Sequence, residues 1–545
     1  MFDSGRLRSI VALFLAALVL VTGSLTGLAQ DAATPAYITL EDGEQLSGTQ
    51  ELRLGVNRNL VGGAENTWYV HASLQVWEPL LTYDDQFQLQ PKLAESWILS
   101  PDGLTWTFNL RKDVTFADGK PFNADVALFN IERYEAVSLR PSIFLGGINY
   151  PEIYGAPTAI TKVDDYTFSI SYAEPRPLLP YAIANHYSAI QGTREDFDEN
   201  YNWIGSPNGT GPFKLVDWQR DQYAVIERND AYWGPVKPTL TKIEVKIYPD
   251  ANARVSALKG GEVDALAELA AVLPAQAQEL KESSDFWVGD YVSACNNYLG
   301  FNGTEGPFTD IRLRQAVSMS IDRNAFVNDV LYGYGRPATS VLIGADSTFI
   351  NTDPAQQVVY NPEQALSLAN EALGGERQSV TLLFNPPGEA LHGWPYPTIA
   401  AYLQAILAPL GLDIELKQLE TAAVDEARNT GEYDMVLGAN CWATGDPDYI
   451  LSRLLDSEST INATQFGGYK NPEVDSLLDQ ARVEIDPARQ AELYRQIQAI
   501  ANAEVPLAPL FDQENIIAGT YNVKGLNERI AYAPTLETVY LVERN

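Results

Sequence analysis

The chain has 545 residues, 46% of them hydrophobic and 10% aromatic, which is enough apolar material for two or three lobes and too polar for a protein that crosses a membrane repeatedly. Its 37 Lys and Arg against 71 Asp and Glu leave a net charge of −34, with the acid spread along the chain, which argues against nucleic acid or an anionic membrane as partners.

Arg6 and Arg8, the apolar run 10–21 and the small residues Gly27 and Ala29 have the layout of an export signal, so residues 1–29 are expected to be removed. The alternative is an uncleaved anchor. No cysteine lies at the cleavage position, so the mature protein is expected free in the periplasm or outside the cell, without a lipid anchor. In that oxidising compartment Cys295 and Cys441 are expected to form a disulfide, the alternative being two buried thiols.

In chain order, residues 51–56 alternate like a strand, and the Gly-rich stretch 57–66 reads as a loop ending at Trp68 and Tyr69. A turn at 100–103 leads into Leu104, Trp106, Phe108 and Leu110, which alternate with polar residues in a hairpin arm with one buried face. Asn123 is placed to cap a helix running to about Tyr134. Tyr166, Phe168, Ile170 and Tyr172 repeat the period of two. From Gly209 the pattern predicts a tight turn, a hairpin to Glu227, a strand at 243–247 and a helix over 250–259 stopped by Gly260 and Gly261. The stretch 291–302 reads as a strand leading from one globular unit into the next. Beyond it helices and strands alternate: Thr309 and Asp310 are cap candidates, and Asn361-Pro362, Asn471-Pro472 and Asp486-Pro487 each place a capping residue before proline at the first helical position. Strands are expected at 380–384, 413–416 and 433–437. There is no internal repeat.

The motifs Pro91-Lys-Leu-Ala-Glu-Ser-Trp97, Phe116-Ala-Asp-Gly-Lys-Pro-Phe122, Gly209-Thr-Gly-Pro-Phe213, Arg228-Asn-Asp-Ala-Tyr-Trp-Gly234, Ala257-Leu-Lys-Gly-Gly-Glu-Val-Asp264 and Asp310-Ile-Arg-Leu-Arg-Gln-Ala316 occur in order along the chain. Together they resemble the family 5 extracellular solute-binding proteins of ABC importers, the oligopeptide, dipeptide and nickel receptor class. The resemblance implies an α/β, three-lobed periplasmic-binding-protein-like fold of class II type, in which two lobes close on a two-strand hinge and a third is inserted. Lobe I would comprise 30–69, 205–291 and 516–545, lobe II the insertion 70–204, and lobe III 292–515. Hinge strands would lie near 291–299 and 507–517.

The implied function is an extracytoplasmic receptor that captures a peptide or peptide-like solute between lobes I and III and delivers it, as a monomer, to membrane permease subunits. An oligosaccharide or another non-peptide solute is the alternative, and a secreted glycoside hydrolase a remote one. The family pattern places ligand contacts after the 433–437 strand. The aspartate that holds the peptide α-ammonium in peptide receptors aligns with Ala443, leaving Trp442, Asp446, Asp448 and Tyr449 as candidates there. Trp394 and Tyr396 are candidates from the same lobe, and Trp68, Tyr69 and His71 would face them from lobe I; for each aromatic, packing in a core is the competing role. Catalysis is not expected: His71, His186 and His392 are far apart in no metal-ligand spacing, and no nucleophile motif is present, so no metal or other cofactor is implied.

Overall fold

A computed structural model describes residues 35–545 apart from 58–74, 85–87, 139–149, 185–187, 206, 220–221, 269, 343–347, 387–393, 442–444, 530–532 and 545. The proposed export signal therefore lies outside the described residues. Leu40–Asn545 form one compact unit, separate from the preceding segment.

Among the described residues, eleven strands join one sheet, and two of them are much longer than the rest. Phe286–Phe301 and Leu507–Thr520 run antiparallel, from Phe286 opposite Thr520 to Gly300 opposite Leu507. At one end of this pair Ala265–Leu266 adds to the Leu507–Thr520 strand. The parallel strands Glu51–Val56 and Lys242–Ile247 and the hairpin Phe213–Gln219 with Tyr223–Arg228 then follow. At the other end Met435–Cys441 pairs with Phe286–Phe301 and leads to parallel Gln378–Phe384 and Leu412–Gln418. The two long strands thus belong to both halves of the sheet. A separate four-stranded antiparallel sheet is built from Ala94–Leu99, Thr105–Leu110, Ala159–Asp164 and Thr167–Ser171. Its Trp106, Phe108 and Leu110 are buried, as the alternation predicts.

The helices begin where local chemistry places them. Asn123, Asp250, Asp310, Asn361, Asn471 and Asp486 each accept a backbone N–H of the following turn with the side-chain oxygen. The first of these helices runs on to Ser138, past the expected end at Tyr134. The turn at 209–212 needs glycine because the backbone of residues 75–76 lies against it: a Cβ on Gly211 would fall 2.0 Å from the Gln75 carbonyl oxygen.

Strand lengths depart from the sequence pattern. The first long strand extends well beyond 291–299 because Gly289 and Asp290, unremarkable as strand formers, are paired with Ile517 and Ile516. The strand expected at 433–437 occupies Met435–Cys441, since its last residues pair with Cys295 and Asn296.

A buried guanidinium braces the sheet on either side of the long pair. Arg254 donates to the carbonyls of Tyr248, Pro249, Ala270 and Ala271, and Arg323 to those of Pro509, Ser318 and Ile321. Burial lowers both to about 10, so both remain cations at neutral pH. Arg323→Met leaves buried carbonyls without their donor and is expected to lose about 3 kcal/mol in urea denaturation. Arg312→Met, which removes a solvent-screened pair with Asp310, should leave the urea midpoint close to that of the wild type. Equal losses in the two variants would contradict this account of Arg323.

Candidate functional site

Between the two halves the sheet narrows. On the Phe286–Phe301 strand the Met435–Cys441 partner begins only at Cys295. On the other strand the flanking partners cover residues 511–512 and 518–519. Around 292–294 and 513–516 the described sheet is therefore two strands wide. The register also breaks there: Val292 opposes Glu514 and Asn296 opposes Asp512, so Ser293 to Cys295 bulge across the single residue Gln513.

Directly opposed residues of an antiparallel pair share a face. One face of the crossover carries Asp512 and Glu514, both engaged: Asn296 donates to Asp512 at 2.7 Å, while Gly335 N–H and Arg336 Nε donate to Glu514 at 3.0 and 3.2 Å. By register the other face presents Asn515, Gln513, Ser293 and Asn297 in a row. All four are buried to 1% exposure or less. Gln513 Nε2 donates to Asn515 Oδ1 at 3.2 Å, and Asn297 Oδ1 accepts the Tyr396 hydroxyl at 3.0 Å. Ser293 Oγ, Gln513 Oε1, Asn515 Nδ2 and Asn297 Nδ2 have no hydrogen-bond partner among the described residues. A buried polar atom left in this state costs about 1–3 kcal/mol, so four in one row mark a place where stability is given up.

Cys295 lies in the same row and is disulfide-bonded to Cys441, its direct cross-strand partner. The bond fixes the end of the Met435–Cys441 strand to the crossover. Trp442, which follows, lies outside the described residues, as do Trp68, Tyr69 and His71.

Asp446, Asp448 and Tyr449 come together, at a different place. They line a cavity of about 560 Å³ with Tyr172, Glu174, Arg176, Arg453, Arg482 and Tyr494. Asp446 caps the helix Pro447–Leu455 by accepting from Asp448 N–H at 2.8 Å. Asp448 accepts from Ser452 Oγ at 2.7 Å and from Arg482 Nε at 3.2 Å, and Arg482 Nη2 also reaches Asp456 at 2.6 Å. Just before the cap, Gly445 N–H donates to the Tyr83 hydroxyl at 2.7 Å, which donates in turn to the Tyr181 carbonyl. A Cβ at position 445 would fall 2.7 Å from the Tyr83 ring, so this contact requires glycine. The chain of contacts from Gly445 through Tyr83 to Tyr181 thus holds a seam between the 445–456 segment and residues 83 and 181, and the two aspartates line the cavity beside residues 172–178.

Burial, with the neighbouring Asp448 charge, pushes the Asp446 carboxyl up to about 7, against Arg176 and Arg482. Burial raises Asp448 as well, with Arg482 opposing. For Arg482, burial pulls downward but Asp448 and Asp456 outweigh it.

Trp394 and Tyr396 pack as core residues, the competing role for both aromatics. Trp394 is 4% exposed and packs edge-on against Phe511 at 4.8 Å, while Tyr396 is 2% exposed with its hydroxyl committed to Asn297. They support the row from beneath its Asn297 end. The row itself escaped the sequence reading. Its signal was present as amides, Asn296-Asn297 and Gln513 to Asn515, in the middle of two strands already assigned to the hinge.

Comparison with known proteins adds an independent finding. Residues 88–462 match the model of the bacterial extracellular solute-binding proteins, family 5 (middle). The chain is 28% identical over 473 residues to the peptide transport periplasmic protein SapA of Salmonella typhimurium, covering 83% of this chain and 84% of that one. It is also 28% identical over 505 residues to heme-binding protein A of Haemophilus influenzae, covering 88% of each. Among solved structures, NikA from Brucella suis in complex with Fe(III)-EDTA superposes with a TM-score of 0.78 at 23% identity, over 90% of this chain and 99% of that one.

Two measurements check the site. The double variant Cys295→Ser, Cys441→Ser should lose about 2–5 kcal/mol of stability and bind solute more weakly; unchanged affinity would refute a mechanical link between disulfide and site. For Asp446, the folded chain holds its proton from about pH 4, where a free carboxyl ionises, to about 7. Its contribution to stability therefore falls as pH rises through that window. Asp446→Asn keeps a capping side chain, so the melting-temperature advantage of wild type over this variant should shrink from pH 4 to 7 and then level off. An advantage independent of pH would contradict the assignment.

Proposed function

We propose that this chain, which belongs to the bacterial extracellular solute-binding proteins of family 5, captures a peptide or peptide-like solute against the crossover and hands it to the membrane permease of an ABC importer. The observation that carries the proposal is the crossover: two strands shared by both halves of the sheet, narrowest where one face bears a row of buried polar groups with unused hydrogen-bonding capacity. A pair of strands without lateral neighbours bends more easily than a wide sheet, and solute bound over the bend would favour the closed arrangement by contacting both halves.

In this reading lobe I is 30–69, 205–291 and 516–545, lobe II is 70–204 and lobe III is 292–515, with the crossover as hinge. The seam at Tyr83, Tyr181 and Gly445 joins lobe II to lobe III. Similarity to a peptide transport protein favours peptides, and similarity to a heme-binding protein shows how far solute can vary at comparable identity. The protein binds and releases its cargo without turning it over. No helix among the described residues is long and apolar enough to cross a membrane. The layout of residues 1–29 favours export by a cleaved signal, and the lack of a cysteine at the cleavage position favours release without a lipid anchor.

A thermal-shift screen of di- to pentapeptides, oligosaccharides, heme and metal chelates tests the receptor reading. The matching solute should raise the melting temperature with the logarithm of its concentration and be recovered chemically unchanged. Conversion of the stabilising solute by purified protein would overturn it.

A further inference from the structure

We infer that the cavity lined by Arg176, Asp446, Asp448, Arg453 and Tyr494 is a second binding site, which takes a free apolar amino acid in its zwitterionic form. No residue of the crossover row lines it, so the inference goes beyond the receptor reading and stands or falls separately from it.

Size and an unmet hydroxyl point to an occupant. At about 560 Å³ the cavity falls within the range of about 300–1,000 Å³ usual for small-molecule sites. Its walls come from residues 156 and 172–178 and from residues 446–453, 482–483 and 494, so an occupant would tie together segments far apart in the chain. Tyr494, on the helix Pro487–Glu504, is fully buried, and its hydroxyl has no hydrogen-bond partner among the described residues. Leaving that group unmet costs about 1–3 kcal/mol, which a polar occupant restores. Burial, with the charges of Asp448 and Asp446, holds the hydroxyl well above its ordinary pKa, so it stays protonated and able to donate.

The charges on the walls select the class of occupant. Arg176, Arg453 and Arg482 stand against Glu174, Asp446 and Asp448. A simple cation would meet three guanidiniums there and a simple anion three carboxylates, and both juxtapositions are costly at short range. A zwitterion meets neither penalty: its ammonium turns to the carboxylates, and its carboxylate accepts from guanidinium and from the Tyr494 hydroxyl. Asp446, pushed up to about 7 by burial even with Arg176 and Arg482 near it, is a carboxyl whose charge an added ammonium would balance. The rest of the wall includes Ala156, Pro175, Leu178 and Val483, which would cover an apolar side chain.

The test uses the full mature chain, disulfide intact, in titration calorimetry with three probes: L-phenylalanine, N-acetyl-L-phenylalanine, which lacks the ammonium, and L-phenylalaninamide, which lacks the carboxylate. Phenylalanine should bind with a dissociation constant of about 1 mM or tighter, and each analogue about tenfold more weakly. Tyr494→Phe removes only the hydroxyl, so phenylalanine should bind about fivefold more weakly while the melting temperature without ligand is held or raised, because an unsatisfied buried group is gone. Arg453→Gln should weaken phenylalanine about fivefold and leave phenylalaninamide unchanged, a selectivity that a merely structural role for Arg453 would not produce.

Equal binding of phenylalanine and either analogue would overturn the inference, as would unchanged affinity in both variants or no binding up to about 10 mM. Competitive displacement of phenylalanine by the solute that stabilises the protein in the thermal-shift screen would place it at the crossover and overturn the inference too, whereas simultaneous binding of the two supports it. If no solute in the screen stabilises the protein while phenylalanine binds with the expected pattern, the receptor reading fails and this inference stands.

Discussion

The antiparallel pairing of Phe286–Phe301 with Leu507–Thr520 is the interaction on which the rest of the molecule depends. Each strand is long enough to serve both halves of the one sheet end to end, so both halves inherit their orientation from one ladder of backbone hydrogen bonds. A wide sheet resists bending because every strand is held on both edges. Here the outer strands stop short of the middle, and the bulge at Ser293 to Cys295 interrupts the ladder at the same level. The narrowing and the bulge thus coincide over a few residues, while buried Arg254 and Arg323 tie together the carbonyls of the flanking loops and helices.

That same level carries the unsatisfied amides. A hinge made only to bend would be more stable with apolar side chains facing inward, because burying a polar atom without a partner is costly. The row Asn515, Gln513, Ser293 and Asn297 keeps hydrogen-bonding capacity where the two halves meet, and in the proposed function a solute over the crossover would recover that deficit. Tyr396 and Trp394 stiffen one end of the row, and the disulfide ties the strand leading to Trp442 into it. The buried carboxylates belong to another place: Asp446 caps the helix Pro447–Leu455 and Asp448 pairs with Arg482, beside the Gly445 contact to Tyr83.

Features set by neighbours in sequence were legible without a structure. Caps such as Asn361, Asn471 and Asp486 before proline define helix starts locally, and the alternation of Trp106, Phe108 and Leu110 defines a buried strand face. Asp446-Pro447 carries the same cap signature, yet its place in a family ligand segment directed attention to binding instead. Strand ends at Gly289, Asp290 and Cys441 were not legible, because cross-strand partners more than a hundred residues away decide them. Trp394 and Tyr396 looked like cleft aromatics on sequence; only packing against Phe511 and Asn297 shows that they are core. The polar row was hidden for a related reason, since asparagine and glutamine in a strand look like turn formers or exposed positions until the register aligns them.

The central claim is that solute bound over the crossover brings the two halves of the sheet together. Nitroxide labels at Ala253→Cys and Glu426→Cys, both on exposed helix positions on opposite sides of the crossover, report that movement through their electron–electron distance distribution. With the solute that most raises the melting temperature at saturation, the account predicts a shorter and narrower distribution than in its absence. An unchanged distribution, with binding confirmed on the same labelled sample, would contradict it.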